Sequence, residues 1–260
     1  MKNFKLKTHY KKILADTISP VSVYLKIRDQ FPNSILLESS DYHGNDNSFS
    51  YICCNPIASI KVEANLITKT YPDHTFETKT VESDMVTAEI DAFTKQFETQ
   101  NDKTFKFINN GMFGFTAYDA VKYFEDITIS KKDHSIEIPD MYYAVYQNII
   151  AINHFKNEAY LFAHCFERES NIEAIDHLIK MQSFSSYDFK SKGKISSNLT
   201  DKAFKSNVDL AKKHCNRGDV FQLVLSKKFQ QDFKGDDFNV YRALRSINPS
   251  PFLFYFDYGK

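Results

Sequence analysis

An α+β protein, with antiparallel β-sheets packed against helices, is what the sequence predicts, on three observations. Two long runs rich in apolar and aromatic residues, Met141 to Phe155 and Glu158 to Phe166, flank Lys156-Asn157, a two-residue connection of hairpin type. Shorter alternating runs, Phe49-Tyr51-Cys53 and Ile60-Val62-Ala64, have the period of two that marks half-buried strands. Between these lie helical periods, such as Val86, Ile90, Phe93 and Phe97 at i, i+4, i+7 and i+11.

In chain order, a short strand is expected around Phe4 to Tyr10. Ser19-Pro20 then opens a helix, serine as N-cap and proline at the first helical position, with Val21, Tyr24 and Leu25 on one face. Pro32-Asn33 ends it. Ser34 to Ser39 is a buried-looking strand ending in polar residues, so Glu38 and Ser39 fall at a strand end. Asp41 to Ser48 is a polar loop, and Ala64-Asn65 turns the second alternating strand into Ile67 to Tyr71. Ser83 or Asp84 caps the helix carrying Val86 to Phe97. Gly111 to Tyr123 is a strand running into a short helix, its glycines marking a bulge or a close backbone approach. A nucleotide loop would need further glycines or a Lys-Ser pair. His154 and His164, in the long strands, are expected as packed or surface histidines.

Ile172, Ile175 and Ile179 make one more helix face, after which residues 186–199 lack any sustained period and form the expected linker. Two domains follow from this, 1–185 and 200–260. Thr200 caps a helix with Phe204, Val208, Ala211 and Cys215 on one side; Gly218 stops it. Val220 to Ser226 is expected as a strand, and Asn248-Pro249-Ser250-Pro251 as a turn into a strand of Phe252, Phe254 and Phe256.

Thirty-three basic residues balance thirty-three acidic ones among 260, which gives no electrostatic footprint for nucleic acid or an anionic membrane. No apolar run is long enough to cross a bilayer, and the N-terminus alternates instead of forming a signal core, so a cytoplasmic protein is expected. Cys53, Cys54, Cys165 and Cys215 have neither metal nor disulfide spacing. No closely spaced Glu, Asp and His cluster of metal-ligand type stands in the chain.

Four short motifs remain: Leu36-Leu37-Glu38-Ser39; Gly111-Met112-Phe113-Gly114-Phe115-Thr116-Ala117-Tyr118-Asp119; Gly218-Asp219-Val220-Phe221-Gln222; and Asn248-Pro249-Ser250-Pro251-Phe252-Leu253-Phe254. In this order they resemble the large subunit of anthranilate synthase, a chorismate-using enzyme. Phe252 stands where that family usually has Tyr, and Leu253 where it often has Met. Both keep an apolar side chain of similar volume. The resemblance implies conversion of chorismate, with ammonia from the glutamine of a glutamine amidotransferase subunit, to anthranilate and pyruvate on Mg2+, the first step of tryptophan biosynthesis. It also implies that 200–260 is the start of a chorismate-binding domain whose catalytic and magnesium residues lie beyond Lys260, so that the chain is a fragment without catalytic or metal residues of its own.

By the same resemblance, an L-tryptophan inhibitor site would have Glu38 and Ser39 on one wall and Pro251, Phe252 and Leu253 on the other, with Ser50 nearby. The chemistry suits a free amino acid, whose ammonium, carboxylate and side chain need an acceptor, open backbone groups and an apolar slab. A pocket walled by two domains would couple binding to domain movement. Two other readings fit the residues: the large subunit of aminodeoxychorismate synthase, and a non-catalytic module that binds tryptophan.

Overall fold

In the computed structural model, residues 2–39, 48–99, 104–127, 129 and 138–259 are described. The loop expected at Asp41 to Ser48 lies outside them but for Ser48. Two compact units divide the chain: unit 1 is Met1–Ser185 with Leu244–Lys260, and unit 2 is Ser186–Ala243.

Unit 1 is built on a ten-stranded sheet. Strands β1 (Phe4–Leu14), β2 (Ile35–Ser39), β3 (Phe49–Glu63), β4 (Leu66–Thr70), β5 (Phe76–Thr80) and β6 (Phe97–Thr99) come first. They are followed by β7 (Met112–Thr116), β8 (Met141–Asn153), β9 (Glu158–Cys165) and, much later, the last strand of the chain, β12 (Phe252–Phe256). The central order is β12-β2-β3-β8-β9-β1-β6, with β4 and β5 continuing from β3 and β7 lying on β8. All pairs are antiparallel except β1 with β6. The antiparallel, helix-packed α+β class predicted from the sequence is therefore the observed one.

Local chemistry sets many of the boundaries. Helix α1 (Pro20–Ile27) begins with a capping box, in which the Ser19 and Ser22 side chains each accept from the other's backbone N–H. Ala64 and Asn65, both at positive φ, close the β3–β4 hairpin, a conformation matched to the right-handed strand twist. At Gly114 an added Cβ would lie 1.9 Å from the Tyr142 carbonyl oxygen, so β7 approaches β8 as only glycine allows.

The helices α2 (Val86–Thr94) and α3 (Ile172–Lys180) supply the rest of the cover. Val86 and Phe93 of α2 are buried in a cluster with Phe4, Leu6, Ile60, Val62 and Met141. A second cluster, on Ile35, Phe49, Cys53, Tyr146 and Phe162, is extended by Phe105, Phe107, Phe256 and Tyr258. Burying a phenylalanine in such a cluster stabilises by about 2–3 kcal/mol.

Several expectations are corrected. Helix α2 ends before Phe97, which sits in β6 and packs edge-on against Phe93. A one-turn 3-10 helix at Ser83–Met85 precedes α2, and neither Ser83 nor Asp84 caps it. The two expected strands at Phe49 and Ile60 are one strand with an irregularity between Pro56 and Ala58, where Pro56 faces Tyr146, Ala58 faces Val145 and Ile57 is the extra residue. The β8–β9 connection has four residues, since Asn153 pairs with Glu158, and Asn157 takes the positive φ.

Unit 2 holds β10 (Phe189–Ser197) and β11 (Phe229–Gly235) as a two-stranded sheet, helix α4 (Asp201–Arg217) and most of α5 (Phe238–Ile247). Part of the expected linker at 186–199 is thus β10, whose polar sequence gives no period because it pairs on one side with β11. Thr200 caps α4 through the Ala203 N–H, and Gly218 ends it with a left-handed φ of 78°. No α4 residue is buried. The strand expected at Val220 to Ser226 is not formed; the residues have no regular secondary structure and are exposed, Phe221 fully so. A strand needs a ladder partner, and among the described residues pairing begins only at Phe229.

Candidate functional site

The predicted site residues meet because β2 lies between β3 and β12. Phe252 pairs with Ser39 and Leu253 with Glu38 across the β12–β2 ladder. On the other side Leu37 pairs with Tyr51, so continuing the register brings Ser50 level with Glu38. Residues more than two hundred positions apart in sequence thereby share one sheet edge, and both walls of the expected pocket belong to unit 1. This differs from the expected pocket between two domains.

The pleat then sorts them. Successive side chains on a strand point to opposite faces. Ile35 and Leu37 on β2, Phe49, Tyr51 and Cys53 on β3, and Phe256 on β12 all pack in the aromatic cluster. Ser39 and Phe252 share their parity and hence that face. Glu38, Ser50 and Leu253 share the other face, with Leu36, Ile52 and Tyr255; α1 covers it, Tyr24 meeting Tyr255 edge-on at 5.7 Å between ring centroids. Pro251 is exposed just ahead of β12, and Phe252 is also exposed.

On the α1 face the polar groups converge. The Glu38 carboxylate is almost fully buried, and Arg245, in the last turn of α5, donates from Nε to Oε2 at 2.9 Å and Oε1 at 3.2 Å. Ser50, fully buried, shares a hydrogen bond with His154 Nε2 at 2.7 Å. The His154 backbone N–H donates to the Ser48 carbonyl, and the Ser48 hydroxyl donates to the Ser39 carbonyl at 3.1 Å. Burial pushes the His154 imidazole below its ordinary pKa; Arg245 acts in the same direction and Glu38 against it. The neutral ring therefore meets Ser50 near neutral pH. Chemically, the cluster offers one desolvated carboxylate, a hydroxyl, a neutral imidazole and the apolar Leu253.

Sequence reasoning missed Arg245 as a site residue, and took His154 only as a packed or surface residue. Arg245 carried a faint signal, a basic residue in a last helical turn immediately before the Asn248-Pro249 turn that leads into β12. The second histidine, His164, has a structural setting. Its Nε2 lies 2.8 Å from the Asn109 carbonyl oxygen and therefore donates, so Nδ1 accepts from the Thr8 hydroxyl at 3.0 Å.

A groove of about 450 Å3 lies elsewhere, lined by Ser59, Thr68, Thr70, His74, Phe76 and Tyr142 among others, and includes none of the predicted site residues. Ser59 and Thr70 there are already hydrogen-bonded to each other at 2.8 Å. For magnesium, no three His, Cys, Asp or Glu side chains converge among the described residues. Those residues do not fit such an ion. Nor is any helix among the described residues long and apolar enough to cross a membrane.

Residues 34–260 match the model of a protein family described as chorismate binding enzyme. The chain is 29% identical over 265 residues to anthranilate synthase component 1 of Lactococcus lactis, covering 95% of this chain and 54% of that protein. It is 26% identical over 258 residues to aminodeoxychorismate synthase component 1 of Bacillus subtilis, covering 95% and 53%. The crystal structure of anthranilate synthase component I from Streptococcus pneumoniae superposes with a TM-score of 0.53 at 23% identity, over 92% of this chain and 53% of that one, a likeness of fold. The chain spans about half the length of the curated relatives it matches.

Proposed function

This chain belongs to the chorismate binding enzyme family, and from that premise we propose that it forms part of a synthase making anthranilate and pyruvate from chorismate and ammonia. A glutamine amidotransferase subunit would supply the ammonia, and magnesium would be bound by residues other than those described. The contribution of this chain's own residues is an amino-acid site at the β2–β3–β12 edge that takes L-tryptophan as inhibitor.

The observation that supports the site is the burial of Glu38 beside Ser50 and Leu253. A desolvated carboxylate calls for a cation, which Arg245 supplies in this structure and an α-ammonium, with three N–H donors, can supply in its place. Leu253 and Pro251 offer the apolar surface for an indole, and Ser39 and Phe252 form the rim from the opposite face. Inhibition then requires only that tryptophan bind one arrangement of the protein better than another, by the roughly 1–3 kcal/mol usual for coupled sites.

Calorimetric titration of L-tryptophan tests this. Micromolar to millimolar binding is expected, lost in Glu38→Gln and absent for indole-3-propionate, which lacks the ammonium. Equal binding of both compounds would remove Glu38 from the site. A second reading, the folate-branch synthase, has the Bacillus subtilis aminodeoxychorismate synthase similarity in its favour; the product formed from chorismate separates the two.

A further inference from the structure

We propose that Arg245 is an internal competitor for the amino-acid site, a latch whose guanidinium holds Glu38 until the ammonium of a ligand displaces it. The inference rests on the site assigned above and adds its regulation.

Three observations carry it. First, Nε of Arg245 bridges both Glu38 oxygens at 2.9 and 3.2 Å, occupying the position from which an ammonium would have to donate. Second, the two partners are unequally buried: the Glu38 side chain is 5% exposed and that of Arg245 45%. Stripping the carboxylate of a counter-charge is costly, whereas Arg245 is already half in water and loses little by leaving. Third, Arg245 stands in the last turn of α5, where the helix dipole favours a cation, so the guanidinium remains well placed when it leaves Glu38.

Among the described residues, His154 is a titratable side chain that senses both members of this pair, and it is held toward its neutral form. Arg245 is the cationic partner that Glu38 shows among the described residues, and a ligand ammonium can exchange for it. The apparent dissociation constant is then the intrinsic one divided by the fraction of molecules with the latch open.

Titration of L-tryptophan into the wild-type chain and its Arg245→Gln and Arg245→Lys variants distinguishes the possibilities, with circular dichroism checking the fold. Arg245→Gln is expected to tighten binding about five- to tenfold, the factor released when a partly buried ion pair no longer competes. Arg245→Lys, which keeps the cation, should stay within about twofold of wild type. Arg245→Met retains the alkyl stem and gives the same reading should the glutamine variant fail to fold. Unchanged or weaker binding in the charge-removed variants, with wild type binding normally, overturns the latch and leaves the site standing, with Arg245 either a bystander or a contact for the ligand carboxylate. No binding by any form overturns the site and the latch together.

Discussion

Unit 1 and unit 2 each contain a helix with a regular apolar face in its sequence, yet the two faces end differently. In unit 1 the isoleucine face of α3 is buried, with Ile172, Ile175 and Ile179 nearly inaccessible. In unit 2 the comparable face of α4, Phe204, Val208, Ala211 and Cys215, has no buried member, although the helix is better capped. Phe238 and Tyr241 are the only buried hydrophobic residues described in 186–243. Periodicity thus reports that a segment has one apolar side; whether that side is covered depends on what the rest of the chain brings to it. Capping chemistry, being local, acts in both units alike.

The largest effect that would sharpen this contrast is at Gly114. An alanine methyl would meet the Tyr142 carbonyl at 1.9 Å, and backbone in a central ladder cannot yield cheaply. Gly114→Ala is expected to cost about 3 kcal/mol or more, or to prevent folding of unit 1. A denaturant midpoint close to wild type would mean that β7 does not lie on β8 as described.

A smaller effect is tied to pH through the buried His164 of unit 1. Burial lowers its folded-state pKa below the ordinary 6.5, and the hydrogen bond from its Nε2 to Asn109 only partly opposes this. As pH falls the unfolded chain takes up the proton first, so this contribution to stability is complete above about 6.5 and is lost on acidification through that value toward the folded pKa. The loss approaches about 1.4 kcal/mol per pH unit for one proton. Denaturant midpoints between pH 7.5 and 5 should fall less steeply in His164→Gln than in wild type; parallel slopes would show that another group governs the acid limb.

The smallest effect belongs to unit 2. Val208→Ser in α4 should change stability by less than about 0.5 kcal/mol, because Val208 is only partly covered and the two residues have similar helix propensity. A loss above about 1 kcal/mol in the same melts would place α4 against something in solution and erase the contrast.

Much of unit 1 was legible because its signals are local. Ser19-Pro20, Ala64-Asn65 and Gly114 each declare a backbone need in one or two residues, and the structure uses each for that need. Phe97 misled because a helical period continued by coincidence into a three-residue strand. Val220 to Ser226 misled for a different reason: composition records the capacity to form a strand, while a ladder requires a partner. At the site, Glu38, Ser39, Ser50 and the Pro251 turn are candidates only through the family resemblance, since their residue types alone also suit a strand end and a turn. Their division between two faces followed from strand alternation, once the β2–β12 register was known. Arg245 was not legible, since its partner lies 207 residues away and only the fold joins them.

The central claim, an amino-acid site on the α1 face of the β2–β3–β12 edge, is tested most directly by mapping amide chemical shifts of the isotope-labelled chain during titration with L-tryptophan. The account predicts saturable shifts greatest at Glu38, Ser50 and Leu253, with smaller ones at Ser39 and Phe252. Shifts centred on the groove around Ser59, Thr70 and Phe76, or no shifts at millimolar tryptophan, would contradict it.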